Sequence, residues 1–242
     1  MKSRWKSAVV DKIEHISQDI NAYYLKIPET AEFDFTPGQF ITLDLPLGEK
    51  RLERWRSYSI ANLPGQDGKI ELCIGRIKGG NASEWFFNDV KVGDQIDFKG
   101  PEGSFLLPEA NGQNLVMICT GTGVAPFKSM IEDIYASGKN YASVHLILGT
   151  RYYDNIPYKE LWKEISDKNK NFSVDFALSR ENRERFHHGY VHDLYFNKYQ
   201  GNDHSDTQFL LCGWTEMIDE AVKRLTLEMR VDKSNIFYEL YG

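Results

Sequence analysis

Leu115-Val116-Met117-Ile118-Cys119-Thr120-Gly121-Thr122-Gly123-Val124-Ala125-Pro126-Phe127 is the stretch that decides the fold of this chain. Its first five residues form a short, nearly continuous apolar run, the pattern of a parallel strand covered on both faces. Apolar positions then recur at three- and four-residue spacing over 124–136, which predicts a helix. Between strand and helix stand two glycines, where a backbone without side chains lets a pyrophosphate approach and the helix start offers it positive charge. Pro126 takes the place of the third glycine of the Gly-x-Gly-x-x-Gly fingerprint, and proline fits a first helical turn. The alternation continues downstream: apolar runs at 144–148 and 209–212 predict strands, 172–178 is read as a further strand, and 158–166 and 216–229 predict helices.

Upstream the pattern changes. Segments 7–15, 20–27, 39–45, 55–60, 69–77 and 95–99 are short and β-rich, separated by Pro37-Gly38, Pro64-Gly65, Asp67-Gly68, Gly79-Gly80, Gly93-Asp94 and Gly100-Pro101. Six strands so punctuated predict an antiparallel β-barrel, with one helix at 82–88. The polar, glycine-containing 109–114 is the expected linker. The expected organisation is therefore two domains, an antiparallel barrel over 1–108 and an α/β domain with a parallel sheet over 109–242.

Composition narrows the function classes. The 242 residues carry a net charge of -6, which argues against a general nucleic-acid binder, since such proteins need a basic face to displace counterions. No apolar run approaches the roughly 20 residues that span a bilayer, so no integral membrane segment is expected. Met1-Lys2-Ser3-Arg4 is cationic, but Asp11, Lys12 and Glu14 follow where a secretory signal would be apolar, and the cytoplasm is the expected location. Cys73, Cys119 and Cys212 are three widely separated cysteines in apolar runs, too few for a four-thiolate iron–sulfur cluster. Cys73 and Cys119 read as small buried hydrophobes. His187-His188 reads as a solvated loop with no metal site, because adjacent rings on an extended backbone face opposite sides.

Two further motifs point to a phosphorylated, flat ligand. In Arg56-Ser57-Tyr58-Ser59-Ile60, alternation puts Arg56, Tyr58 and Ile60 on one strand face and Ser57 and Ser59 on the other. A guanidinium forks onto phosphate oxygens and a phenol packs against a ring, although alone the pattern also fits an exposed Arg beside an ordinary strand Tyr. Gly79-Gly80-Asn81-Ala82-Ser83 places glycines before a helix whose first turn offers backbone N–H groups and a hydroxyl, an anion site in outline.

Taken in order, Arg56-Ser57-Tyr58-Ser59, Gly79-Gly80-x-x-Ser83, Gly121-Thr122-Gly123-Val124-Ala125-Pro126 and Cys212-Gly213 resemble the ferredoxin-NADP reductase superfamily over essentially the entire chain. The resemblance implies a flavin-binding barrel, a nicotinamide-binding second domain, and an oxidoreductase that moves hydride between NADP(H) and FAD. On this resemblance Arg56 binds flavin phosphate, Tyr58 packs on the flavin, Ser59 hydrogen-bonds near N5, and Gly79, Gly80, Ala82 and Ser83 hold the pyrophosphate. Thr120, Gly121, Thr122 and Gly123 receive the nicotinamide dinucleotide, and Cys212 and Gly213 border the nicotinamide. Thr215 stands where the superfamily usually has Pro. Phe237-Tyr238-Glu239-Leu240-Tyr241-Gly242 resembles reductases whose terminal aromatic covers the flavin, with Tyr241 as that cover. Glu239, on the same strand face, would orient the carboxamide or relay a proton.

Coenzyme choice falls on NADPH. Ser179 and Arg180 follow the 172–178 strand at the carboxyl edge of the sheet, with Arg183 or Arg185 beyond, and together they fit a 2′-phosphate. The expected partner is a ferredoxin or flavodoxin-like carrier, met by Lys2, Arg4, Lys6, Arg51 and Arg54. The alternatives are an NADH-dependent reductase serving an oxygenase, a cytochrome or free flavin, and a non-catalytic flavin- or nucleotide-binding module.

Overall fold

The computed structural model describes residues 5–27, 33–65 and 68–241. Lys2 and Arg4 of the expected cationic patch, Asp67 of a predicted turn, and Gly242 lie outside the described residues. The chain divides into two compact units, Met1–Leu107 with Ala125–Ser137, and Pro108–Val124 with Gly138–Gly242.

In the first unit the strands are β1 (Lys6–Ser17), β2 (Ile20–Lys26), β3 (Phe40–Asp44), β4 (Trp55–Ser59), β5 (Lys69–Gly75) and β6 (Gln95–Glu102), ordered β4-β3-β6-β1-β2-β5 with antiparallel neighbours. The two edges meet just past β4, where Ile60 bridges Leu72 and the Ala61 N–H donates to the Glu71 carbonyl at 2.8 Å. This closure makes a barrel and leaves few unpaired edge groups. Inward-facing Val10, Leu25, Ile41, Leu43, Ile70 and Phe98 fill it. A single helical turn, α1 (Arg51–Arg54), precedes β4, and α2 (Asn81–Asn88) packs on the barrel through Phe86. The Tyr23 hydroxyl donates to the Phe86 carbonyl at 2.6 Å, and the two rings meet edge to face at 4.9 Å.

The second unit starts with β7 (Asn114–Thr120), followed by a 3₁₀ turn over Gly121–Val124 that runs on into α3 (Ala125–Ala136), which groups with the first unit. Then come β8 (Ser143–Thr150), α4 (Lys159–Lys168), β9 (Phe172–Leu178), β10 (His187–His188), α5 (Val191–Tyr199), β11 (Thr207–Trp214), α6 (Thr215–Lys223) and β12 (Ile236–Tyr241). The sheet order is β10-β9-β8-β7-β11-β12, and its neighbours are parallel. Chain order reverses beside β7, so the turns after β7 and β11 flank the switch point where open α/β sheets bind ligands. Register sets Cys119 against Cys212, and Cys212 against Glu239. Cys73, Cys119 and Cys212 are all buried.

Three local expectations are corrected. His187-His188 is not a free loop: it adds a two-residue strand to β9, fastened by the Gly189 N–H to the Leu178 carbonyl at 3.0 Å. The helix expected over 216–229 ends at Lys223 and widens into a π turn over Arg224–Glu228. There the Thr226 hydroxyl donates to the Val222 carbonyl at 2.7 Å, a back-bond that bends helices. α5 was not expected at all, because its core side chains, Val191, His192 and Tyr195, include a histidine and a tyrosine that apolar periodicity does not count.

Candidate functional site

The strand that carries Arg56 pairs with β3 so that Leu43 faces Arg56 and Ile41 faces Tyr58. Arg56 turns one guanidinium nitrogen onto the carbonyls of Leu52 and Trp55, both at 2.8 Å, so α1 braces it. Its other nitrogens have no partner among the described residues. Tyr58 is half-buried and stands edge-on to Phe86 at 5.6 Å, and burial pushes its hydroxyl well above the usual tyrosine range, keeping it a neutral phenol. Ser57 faces outward and shares a 3.0 Å hydroxyl contact with Thr42, whereas Ser59 is buried where the barrel closes.

At the start of α2, Gly79 takes φ +78 and a side chain there would meet open space, so the backbone is bare where an anion would approach. Ser83 corrects the expectation. Its hydroxyl is shared between the carbonyls of Ile77 and Gly80, each at 3.0 Å, and accepts the Ile77 N–H at 2.9 Å. It closes the loop instead of pointing outward. The donors left for a pyrophosphate are the backbone N–H groups of Asn81, Ala82 and Ser83, which precede the first intrahelical bond, Glu84 N–H to the Gly80 carbonyl.

At the switch point of the second unit the two glycines of the β7 turn have different duties. Gly121, at φ +53, faces open space, while a Cβ on Gly123 would come within 2.6 Å of the Cys212 carbonyl. Gly123 thus packs the turn against β11 and Gly121 leaves it bare. Gly213, at φ +143, lies where a Cβ would strike the Thr120 hydroxyl at 2.6 Å. That hydroxyl is buried with no hydrogen-bond partner among the described residues. A bare turn, a helix start and an orphaned hydroxyl fit the pyrophosphate and ribose of a dinucleotide.

Cys212 is fully buried, and its thiol is pushed well above the usual range by burial first, then by Glu239 and Cys119 beside it. Tyr241 acts in the opposite, lowering direction but is outweighed. Cys212 is therefore held as an uncharged thiol. Thr215, in the place of the expected Pro, opens α6.

Where β9 ends, Ser179 N–H bonds the Thr150 carbonyl at 2.9 Å and Arg180 N–H the Arg151 carbonyl at 3.0 Å, fixing both residues to the end of β8. The side chains of Arg180 and Arg185 are exposed and hold no ion pair among the described residues. Arg183 is engaged elsewhere, 3.4 Å from Glu181 and over the Tyr153 ring. The expected cationic patch is also reduced, because Arg54 forks onto the Asp44 carboxylate with two 2.7 Å bonds. Sequence reading missed a buried ion cluster around Lys128, although a lysine within an apolar helix face was a signal for it.

The family model of the oxidoreductase FAD-binding domain matches residues 7–106, and that of the oxidoreductase NAD-binding domain matches residues 117–223. The chain belongs to the flavin-dependent oxidoreductases built from these two domains. It is 30% identical to the phenol hydroxylase P5 protein of Acinetobacter pittii over 97% of this chain and 65% of that protein. It is 27% identical to the toluate 1,2-dioxygenase electron transfer component of Pseudomonas putida over 97% of this chain and 67% of that protein. The chain thus spans about two thirds of the length of these relatives. Among solved structures, the cytochrome P450 reductase of Amycolatopsis superposes with a TM-score of 0.87 at 27% identity, covering 98% of this chain and 70% of the other. The ferredoxin NADP+ reductase of Neisseria gonorrhoeae, with bound FAD and NADP, shares the fold at a TM-score of 0.82 and 22% identity, over 99% of both chains. Among the described residues no helix is long and apolar enough to cross a membrane.

Proposed function

We propose that this chain takes hydride from NADPH onto FAD and passes the electrons to a separate protein carrier, with 1–108 as the FAD-binding barrel and 109–242 as the NAD(P)-binding domain. The observation that carries the reading is the switch-point cradle, in which bare Gly121, the following helix start and the orphaned Thr120 hydroxyl stand beside the neutral Cys212 thiol. The flavin, when bound, accepts a hydride and releases electrons one at a time. The chain's own residues orient and enclose. Arg56 and the α2 backbone donors would hold the phosphates, Ser59 would hydrogen-bond near the acceptor nitrogen, and Cys212 and Glu239 would border the nicotinamide. Tyr241 would cover the flavin face and would yield for the nicotinamide ring to enter.

NADPH is favoured over NADH by Arg180 and Arg185, exposed cations that follow Ser179 and hold no ion pair among the described residues. Each charge-assisted phosphate contact contributes about 1.5–3 kcal/mol, so Arg180→Ala weakens NADPH use by about tenfold to a hundredfold and leaves NADH nearly unchanged. Catalytic efficiency with both coenzymes checks this, and a parent that prefers NADH overturns it. For the carrier, a ferredoxin or flavodoxin-like protein is proposed. A second reading is an NADH-linked reductase of an oxygenase, and the similarity to a phenol hydroxylase protein and a toluate 1,2-dioxygenase electron transfer component supports its oxygenase side. Re-oxidation of the reduced protein by each class of carrier, followed by stopped flow, separates the two.

A further inference from the structure

The carboxyl edge of the second sheet holds a cluster that engages Arg183, one of the two arginines expected at the 2′-phosphate. The Tyr153 ring lies under the Arg183 guanidinium, 3.7 Å from its centroid, and the Lys159 ammonium is 4.1 Å from the same centroid. Glu181 ties ring and cation together: one carboxylate oxygen accepts the Tyr153 N–H at 2.7 Å, and the other is 3.4 Å from Arg183. Phe186 braces the ring edge-on at 5.1 Å. Tyr153 follows β8, and Glu181 and Arg183 follow Ser179 and Arg180 at the end of β9, so the cluster adjoins the proposed 2′-phosphate position.

Arg183 is thus engaged twice, with a ring and with a carboxylate, whereas Arg180 and Arg185 nearby have no ion-pair partner among the described residues. A half-exposed phenol face is a surface on which a flat purine stacks, and a guanidinium resting there occupies that surface. Building on the NADPH reading above, we propose that Arg183 is a latch on coenzyme choice. In the free protein it covers Tyr153. When an adenosine 2′-phosphate binds, the adenine takes the ring face and the guanidinium turns from Glu181 to the phosphate. An adenosine lacking that phosphate must lift the same guanidinium with no anion to receive it. The latch therefore discriminates by penalising the ligand without the phosphate as well as by rewarding the one that has it.

Titration calorimetry on the intact protein with 2′,5′-ADP and 5′-AMP reads the latch independently of flavin chemistry. In Arg183→Ala, 5′-AMP is expected to bind about two- to fivefold tighter, because an exposed cation–ring contact no longer has to be broken, and 2′,5′-ADP to bind more weakly. In Glu181→Gln, which keeps an acceptor for the Tyr153 N–H but removes the charge, 2′,5′-ADP is expected to tighten by up to about fivefold with 5′-AMP nearly unchanged. A 5′-AMP affinity that does not rise in Arg183→Ala overturns the latch and leaves Arg183 a fixed phosphate ligand. A parent that binds both fragments equally overturns the coenzyme choice instead, so the two failures are distinguishable.

Discussion

Lys128 is only 7% exposed, and its ammonium lies 3.0 Å from Glu71, 3.1 Å from Glu132 and 3.2 Å from the Ala61 carbonyl. Burial alone would lower its proton affinity, yet the two carboxylates hold it above the ordinary lysine value, while burial raises that of Glu132. The next residue adds a second tie, the Ser129 hydroxyl donating to the Asn62 carbonyl at 2.7 Å. Removing one partner of a buried pair strands the other, so Lys128→Met is expected to cost about 3–5 kcal/mol of stability. Adding Glu71→Gln should recover much of it. Denaturant midpoints of the two variants test this, and a single variant as stable as the parent refutes the role. Periodicity placed Lys128 on a helix but said nothing of its partners, because Glu71 lies 57 positions away on β5. The same limit applies to Ser83 and Arg54: the sequence showed groups able to bind an anion, and only the fold showed that a loop carbonyl and Asp44 already engage them.

β8, β9 and α5 are joined by a buried histidine. His145 lies 2.8 Å from Asp175 on β9 and 2.7 Å from the Tyr199 hydroxyl at the end of α5. Burial lowers its proton affinity from the ordinary value of 6.5 despite Asp175, and burial keeps Tyr199 protonated. Neutral His145 thus accepts from Tyr199 and donates to ionised Asp175. Burial depresses His192 in α5 in the same direction. Both histidines bind protons less readily folded than unfolded. Their contribution to stability is complete above about pH 6.5 and is lost as the pH falls through their lower folded values. The thermal midpoint is expected to drop between about pH 7.5 and pH 5.5, and His145→Gln should flatten that slope. Equal midpoints at the two pH values would contradict this account. These elements also mark what the sequence showed. Strands β7, β8 and β11 were legible because parallel strands buried on both faces are written as continuous apolar runs. α5 was not, since a histidine and a tyrosine serve as core residues there.

For the molecule as a whole, fold class was readable because the hydrophobic period changes near Pro108, from alternation to apolar runs interleaved with helices. The closure of the barrel through Ile60 and Leu72, and the reversal of strand order beside β7, depend on long-range pairing that no local pattern encodes. One buried feature supplies a built-in clock. Cys73 lies in the barrel unit and Cys119 and Cys212 in the parallel-sheet unit, all three at 5% exposure or less. An alkylating reagent reaches a sheltered thiol only when the surrounding structure opens, so labelling rate reports local unfolding. Pulsed alkylation with peptide mass mapping should leave the native protein essentially unmarked and, in rising denaturant, tag Cys73 on one timetable and the other two together on another. Rapid tagging of any of them in native buffer would contradict the burial described above. Each half of the molecule therefore carries its own intrinsic opening reporter, with no label to engineer.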